Sequence, residues 1–196
     1  MNKISYLNIV NNKEASEESI CFDYLILALG SLYSHPFQTS NFERAAQINC
    51  LQETNNRIKD VKRILIIGGG ALGVELAGEF ATDCKEKTVT LLTSGDRLLP
   101  RMSVSFSQAA LNILKEKNVQ VILNDRIDLT NVENFRPNKL KTQNGKEIEF
   151  DAYFICTGPK PCTEMVKKSF PEWIDNNGFV KVNEYLNVIT GNQHFF

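Results

Sequence analysis

The hydrophobic residues in the middle of this chain fall into short runs, and longer segments of helical spacing separate them. The apolar runs predict strands that cover 63–67, 88–93, 119–123 and 152–156. Helical segments follow the first two of these runs. Strands that alternate with helices in this way between 61 and 125 predict βαβ units, and hence a parallel sheet.

Two segments between the strands have the spacing of amphipathic helices. Their predicted apolar faces consist of Leu72, Leu76 and Phe80 in 71–84, and of Phe106, Ala110, Ile113 and Leu114 in 103–117. Ser103 or Ser105 can cap the second helix, because a serine hydroxyl accepts a hydrogen bond from a free amide of the first turn. We therefore expect both helices to pack one side against the sheet.

Outside this middle part the pattern is less regular. The expected elements are strands near 3–10 and 20–28, and a polar segment of helical character near 40–58. The segment 126–150 predicts short strands, with the turn Asn144-Gly145 between 139–143 and 146–150. The predicted fold class is α/β, with a parallel sheet and a β-meander.

A glycine-rich turn joins the strand 63–67 to the helix 71–84, and Gly68, Gly70 and Gly73 give it the spacing G-x-G-x-x-G. Gly68 allows a tight turn, Gly70 lets the backbone approach a pyrophosphate, and Gly73 lets the helix pack close to the strand. The helix N-terminus offers free N–H groups to phosphates. This order predicts a dinucleotide-binding corner, the alternative being a βα turn that binds nothing. The candidate contacts are Gly68, Gly69, Gly70, Ala71, Leu72 and Gly73.

Charge and composition exclude several function classes. With 22 basic and 23 acidic residues among 196, the net charge is −1 and no basic block is present, so no nucleic acid partner is expected. No apolar run approaches the roughly 18–20 residues that span a bilayer, so no transmembrane segment is expected. The first residues have neither the pattern of a secretory signal peptide nor the glycine that myristoylation requires.

The five cysteines are Cys21, Cys50, Cys84, Cys156 and Cys162. An odd number without C-x-x-C spacing fits neither a disulfide framework nor a zinc site. Cys21, Cys50 and Cys156 adjoin apolar residues and are expected to be buried. These features indicate a reducing compartment and argue against dithiol redox chemistry. His35 and His194 have no partners at metal-ligand spacing, so we expect structural or surface roles for both and no metal site.

The segment Phe22–Ser31, FDYLILALGS, is similar to Phe150–Pro159, FDAYFICTGP. Each has Phe-Asp, an apolar run expected to be a buried strand, and a glycine two positions after a small residue. Such a pattern is common around buried strands in general. Because the two copies lie on either side of the G-x-G-x-x-G turn, the repeat is a more specific signal here than the same pattern would be alone.

Together, the strand end Ala-x-Gly-Ser, the run Ile66–Phe80, the run Gly95–Pro100 and the strand end Cys-Thr-Gly resemble the FAD-dependent pyridine-nucleotide oxidoreductases, flavoproteins with two dinucleotide-binding domains. The likeness covers about 18–196 and is greatest to the apoptosis-inducing-factor-like and ferroptosis-suppressor branch. It implies a Rossmann-like NAD(P)-binding domain at 61–156, inserted between partial FAD-binding segments at 1–60 and 157–196. It places Gly30, Thr157 and Gly158 where the chain crosses between domains near the cofactors.

The sequence departs from this family in two places. No earlier G-x-G-x-x-G, which would hold the FAD pyrophosphate, precedes Gly68. The segment 186–196 looks like the approach to the family's Gly-Asp pair, but the sequence stops before that pair. We therefore expect an internal fragment of a longer flavoprotein, which keeps the nicotinamide site and loses both ends of the flavin site.

Five further residues are considered for contact with the cofactors. The resemblance places Glu75, expected in the first helical turn, toward the nicotinamide and the flavin, while an exposed acid that complements the helix dipole is the alternative. The resemblance aligns Thr93 with the family's acid position, where a carboxylate would accept a hydrogen bond from the ribose 2′-OH. Thr93 and Ser94 are both neutral, so NADH and NADPH remain alternatives. Asp96 and Arg97 can reach the ribose or cap the turn.

The resemblance implies electron transfer by an oxidoreductase that passes hydride from NAD(P)H to FAD and on to a small-molecule acceptor such as a quinone. No catalytic acid or base is predicted. The alternatives are a truncated, inactive NAD(P)-binding module and, ranked last, a flavin-free dehydrogenase, for which no Tyr-x-x-x-Lys pair is present. The expected localisation is cytoplasmic, and attachment to a membrane surface and a homodimer are left open.

Overall fold

The computed structural model describes residues 2–10, 13–38 and 43–189, so His194 and the last residues of the chain lie outside the described part. The chain divides into two compact units. We call Leu32–Lys160 the central unit, and Met1–Ser31 together with Pro161–Phe196 the terminal unit. No helix among the described residues combines the length and the apolar character needed to cross a membrane.

The described elements alternate between strands and helices over the middle of the chain. In chain order they are β1 (Asn2–Val10), β2 (Lys13–Phe22), β3 (Ser31–Leu32), α1 (Arg44–Asp60), β4 (Arg63–Ile67), α2 (Ala71–Asp83), β5 (Thr88–Leu92), α3 (Val104–Glu116), β6 (Gln120–Ile122), β7 (Asn138–Lys141), β8 (Glu147–Phe150), β9 (Ala152–Ile155), β10 (Lys160–Pro161), α4 (Glu164–Ser169) and a 3-10 turn, Pro171–Trp173. From β4 to β9 these bounds confirm the predicted strands and helices to within two residues at each end, and the largest difference is at β7, which ends at Lys141 rather than Gln143.

The central unit is built on a parallel sheet of four strands in the order β6-β5-β4-β9. Ile66 of β4 lies opposite Leu91 of β5 on one side and Phe154 of β9 on the other. All three side chains are buried. A strand that is covered on both faces needs a continuous apolar run, which is why β4 was recognisable as Ile-Leu-Ile-Ile.

Helix α2 packs against this sheet through the face that the sequence predicts. Leu72 and Leu76 are partly buried against the core, and Phe80 is buried. The ring of Phe80 lies 5.4 Å from that of Phe154, centroid to centroid. Burial of such side chains contributes roughly 1.5–3 kcal/mol each, so this face determines how α2 sits on the sheet.

Helix α3 is rotated from its predicted orientation. Phe106 and Ile113 were expected in the core, but both are more than half exposed. Ser107 and Leu114 are buried instead. The Ser107 hydroxyl donates to the Leu98 carbonyl, so a polar residue occupies a core position because the turn before the helix supplies its acceptor. The predicted cap is confirmed at Ser103, whose Oγ accepts from the Phe106 amide at 3.2 Å.

Strands β7 and β8 form an antiparallel hairpin that closes through the predicted Asn144-Gly145 turn. The Gly145 amide donates to the Thr142 carbonyl at 2.9 Å, and Gly145 has a φ of +83° that favours glycine. The expected meander is thus a two-stranded hairpin in the described residues, preceded by turns rather than by another strand.

The prediction for the first thirty residues was wrong in one respect. Strand β2 ends at Phe22, whose pairing partner is Asn2, the first residue of β1. The apolar run that follows, expected as a buried strand near 20–28, has no regular structure, and Tyr24 and Ile26 are 79% and 87% exposed. Among the described residues no strand lies beside this run, and an apolar run without a sheet neighbour cannot be buried as a strand.

Asp151 joins the starts of β4 and β9. Its carboxylate accepts from the Lys62 and Arg63 amides at 3.1 and 2.9 Å, and from the Arg63 guanidinium at 2.6 Å. The hydrogen bond from the Arg63 guanidinium holds the pKa of the Asp151 carboxyl below its usual range. A folded-state pKa below the unfolded value stabilises the fold above that unfolded value, and the stabilisation is lost as the pH falls through the folded pKa.

We expect Asp151→Asn to lower the free energy of unfolding by about 2 kcal/mol at pH 7, because hydrogen bonds to a charged group are lost. Urea unfolding measures this difference. Asp83→Asn, at an exposed position near the end of α2, is the matched control and should change stability by less than about 0.5 kcal/mol. The gap between wild type and Asp151→Asn should close as the pH falls below about 4. A gap that is constant with pH would contradict the assignment.

Candidate functional site

The glycine turn follows β4 at the carboxyl edge of the sheet, where hydrogen bonds join the end of β4 to the strands on both sides. The Gly68 amide donates to the Leu92 carbonyl of β5 at 2.8 Å, and the Cys156 amide, just after β9, donates to the Ile67 carbonyl at 2.7 Å. In the sheet order, the chain proceeds outward from β4 through β5 and β6 and then returns to the other side of β4 with β9. In open α/β sheets ligands bind at such a switch point, outside the carboxyl ends of the strands.

Two of the three motif glycines are required by backbone packing. Gly68 has a φ of +122°, and a Cβ on it would overlap the carbonyl group of Cys156. A Cβ on Gly73 would overlap the carbonyl oxygen of Gly68. The first turn of α2 therefore lies directly against the end of β4, as the sequence predicts. A side chain on Gly73 would push the helix off the end of β4, and one on Gly68 would push the turn away from the end of β9.

Gly70 differs from the other two, because a Cβ there would meet nothing within 4 Å. It is the N-cap of α2 and provides no side-chain cap, and the first helical hydrogen bond runs from the Val74 amide to the Gly70 carbonyl at 3.1 Å. The preceding amides of Ala71, Leu72 and Gly73 have no partner within the helix. With no acidic residue in the first turn, this open surface can accept an anion such as a pyrophosphate.

The loop after β5 supports the glycine turn. Thr93 is buried, its Oγ1 accepts from the Gly95 amide at 3.3 Å, and Gly69 lies against its side chain. Ser94 and Asp96 are exposed at the tip. The Arg97 guanidinium donates to the Pro100 carbonyl at 2.8 Å. Arg97 was predicted either to reach the ribose or to cap the turn, and the structure shows it capping the turn.

Sequence reasoning did not identify the residues that hold this loop in place. The Leu99 amide donates to the Gly69 carbonyl at 2.7 Å, and Leu98 and Leu99 are both buried. Ser107 of α3 bonds to the Leu98 carbonyl in turn. The sequence does contain a signal for this anchoring, because Leu98 and Leu99 are an apolar pair inside a loop that is mostly polar.

Glu75 is exposed and is the fifth residue of α2, so it begins the second turn rather than lying in the first as expected. An α-helix has about 3.6 residues per turn, so a helix that begins at Ala71 completes its first turn at Val74.

Thr157 and Gly158 follow β9 at the same edge of the sheet. The Thr157 amide nitrogen is 3.1 Å from where a Cβ on Gly68 would lie, so Thr157 borders the glycine turn. Gly158 has a φ of +96°. Gly30 belongs to the terminal unit, where its carbonyl accepts from the Cys162 amide at 3.1 Å, and it also has a positive φ of +74°. The two glycines of the sequence repeat thus share a left-handed backbone.

Cys156 is buried beside the glycine turn, as expected, and burial raises the pKa of its thiol to about 11. A neutral, buried thiol is a poor nucleophile. Cys50 is half-buried, and the expectation for Cys21 was wrong, because that residue is exposed. It lies at the end of the β1–β2 hairpin, where the adjoining apolar run is itself exposed.

Residues 3–193 match the protein family described as pyridine nucleotide-disulphide oxidoreductase. The chain is 33% identical over 181 residues to ferroptosis suppressor protein 1 of Homo sapiens, which covers 87% of this chain and 48% of that protein. It is 32% identical over 192 residues to apoptosis-inducing factor homolog A of Dictyostelium discoideum, with 87% and 47% covered. The chain therefore spans about half the length of the curated relatives that it matches.

Solved structures share the fold at lower identity. An engineered water-forming NADPH oxidase bound to NADPH superposes with a TM-score of 0.68 at 20% identity, over 95% of this chain and 40% of the other. An FAD-dependent pyridine nucleotide-disulphide oxidoreductase from Desulfovibrio vulgaris gives a TM-score of 0.61 at 20% identity, over 95% and 47%. At this level of identity the likeness establishes the fold class, α/β with a Rossmann-like domain, as predicted.

The glycine turn predicts a sharp difference between two similar substitutions. We expect Gly73→Ala to lower the free energy of unfolding by about 3 kcal/mol, since the added methyl group overlaps the Gly68 carbonyl. Gly70→Ala should change it by less than about 0.5 kcal/mol, because its methyl group enters open space. Urea unfolding of both variants measures the difference. Equal destabilisation would contradict the close packing of α2 on β4.

Proposed function

The chain belongs to the pyridine nucleotide-disulphide oxidoreductase family, and on that premise we propose that its central unit binds NAD(P)H at the glycine turn. The observation that carries the proposal is the open N-terminus of α2 at the switch point of the sheet. There, the amides around Gly70 can hold a pyrophosphate without steric obstruction. We place this unit in an oxidoreductase that uses FAD.

We propose the following division of the chain. The segment 61–156 is the NAD(P)-binding domain, and 1–60 and 157–196 belong to the FAD-binding domain. The compact central unit that contains the glycine turn runs somewhat further, from Leu32 to Lys160. The exposed apolar side chains Tyr24 and Ile26 of the terminal unit fit this proposal, since a flavin-binding fold would cover such residues.

Each candidate residue has a proposed role. The pyrophosphate lies against Gly68, Gly69, Gly70, Ala71, Leu72 and Gly73. Ser94 at the exposed loop tip contacts the adenosine ribose, and Thr93 supports that loop from beneath. Glu75, Thr157 and Gly158 border the nicotinamide, and Gly30 and Gly158 mark the two crossings between domains. Because Thr93 and Ser94 are neutral, the loop neither repels a 2′-phosphate nor offers a carboxylate to a 2′-OH, so both NADH and NADPH are accepted.

FAD, when bound, supplies the acceptor for the nicotinamide hydride. Among the described residues, however, the terminal unit shows no second unit of strand, glycine turn and long helix that would hold a flavin pyrophosphate. The protein's own contribution is to bind and orient the dinucleotide. Beyond it we propose a small-molecule acceptor such as a quinone, a cytoplasmic location and, as an arrangement to test, a homodimer.

Gly70→Ala tests the nucleotide site without disturbing the fold. Its methyl group enters the space proposed for the pyrophosphate, so we expect NADH and NADPH to bind at least about tenfold more weakly, or about 1.4 kcal/mol. Amide chemical shifts during titration provide the dissociation constants. In the wild type, the amides of 68–73 should be among the most strongly shifted.

Gly78→Ala is the matched control for that experiment. Gly78 lies two turns further along α2, and a Cβ there makes only an ordinary contact with Leu114 at 4.0 Å. Its affinity for both nucleotides should equal that of the wild type. If the wild-type amides of 68–73 stay unshifted at millimolar nucleotide, the proposed site is wrong.

A second candidate function is an NAD(P)-binding module without turnover, since the helix N-terminus at Gly70 can bind a dinucleotide whether or not a flavin is present. We expect the purified chain to bind NADH but to retain no flavin absorbance after incubation with FAD and gel filtration. Retained flavin that is bleached by NADH would reject the module and assign the complete hydride transfer to this chain. Failure to bind either nucleotide would reject both candidates.

A further inference from the structure

A cysteine and a histidine meet on the surface of the central unit, and neither of them has a role in the proposed nucleotide site. Cys50 lies on α1, and His35 lies in the turn that precedes this helix. The Cys50 Sγ is 3.1 Å from the His35 Nε2, within hydrogen-bond distance. Fifteen positions separate the two residues, so sequence spacing alone does not pair them.

Each partner is attached to the core independently of the other. The Phe37 amide donates to the Ser34 carbonyl at 3.0 Å and closes the turn around His35, and the Phe37 ring lies 6.4 Å from that of Phe154, centroid to centroid. On the other side, Arg57 of α1 stacks over the Phe135 ring at 4.3 Å. The distance between sulfur and imidazole therefore follows from packing on both sides, not from the pair alone.

Solvent can reach this pair. His35 is exposed and Cys50 is half-buried, whereas Cys156 is buried and only 4% exposed. Cys21 is also exposed. Within the described residues, Cys50 is the cysteine for which the structure shows an imidazole at hydrogen-bond distance. An accessible thiol beside a base is the arrangement of an activated sulfur nucleophile.

We propose that Cys50 is a covalent modification site for α,β-unsaturated carbonyl compounds, with His35 as its base. In the tautomer that carries its proton on Nδ1, His35 accepts the thiol proton at Nε2 while the sulfur attacks the β-carbon. A C–S bond forms and the C=C π bond breaks. The proton held by His35 then passes to the α-carbon of the adduct. Thiol and enone add without loss of atoms, and no oxidant or reductant is needed.

N-ethylmaleimide, an α,β-unsaturated carbonyl reagent, is the probe. The full chain is labelled for increasing times, and peptide mass spectrometry gives the labelling rate of each cysteine. Cys50 should react at least about tenfold faster than Cys21, although it is the less exposed of the two, since a general base contributes at least that factor. Cys156 should stay unlabelled and so reports that the central unit is folded.

Substitution of His35 separates a base from a merely structural neighbour. In His35→Gln, the Cys50 rate should fall about tenfold, to that of Cys21, while the rates of Cys21 and Cys162 stay unchanged. In His35→Ala, added imidazole should restore labelling at Cys50 alone. A Cys50 rate no higher than that of Cys21 in the wild type overturns the proposal, whatever the variants do. An unchanged rate in His35→Gln, with Cys156 still protected, overturns the role of His35.

Discussion

The contact between the first turn of α2 and the end of β4 determines the position of everything else around the site. Gly73 lies against the Gly68 carbonyl with no room for a side chain, and Gly68 in turn lies against the carbonyl group of Cys156. Three backbone segments thus meet without intervening side chains. The helix N-terminus is held at the edge of the sheet, where a Cβ on Gly70 would meet no atom within 4 Å.

Much of the central unit could be predicted because its signals are local. A strand buried on both faces requires a run such as Ile64, Leu65 and Ile66, and a backbone that must turn sharply requires Gly68. The helix cap at Ser103 and the turn at Gly145 follow from the chemistry of single residues. For such features, the sequence contains both the requirement and the residue that meets it.

The errors concern features that depend on distant partners. Phe106 looks like a core residue by its hydrophobicity, but Ser107 occupies the core position because Leu98, nine residues earlier, offers it a carbonyl. The run after Phe22 resembles β9, yet β9 pairs with β4 and the run has no such neighbour among the described residues. The pairing of Cys50 with His35 also arises only when α1 and the preceding turn fold onto the same core.

The loop after β5 is anchored at both of its ends. Thr93 is buried at its start, and at its far end Leu99 bonds to the Gly69 carbonyl, despite the unfavourable positive φ of 50° at that leucine. Between the anchors, Ser94 and Asp96 are exposed and contribute little to holding the loop in place. Substitutions at this tip should therefore leave both anchors in place. The groups that the loop exposes can change while the backbone beneath them keeps its conformation.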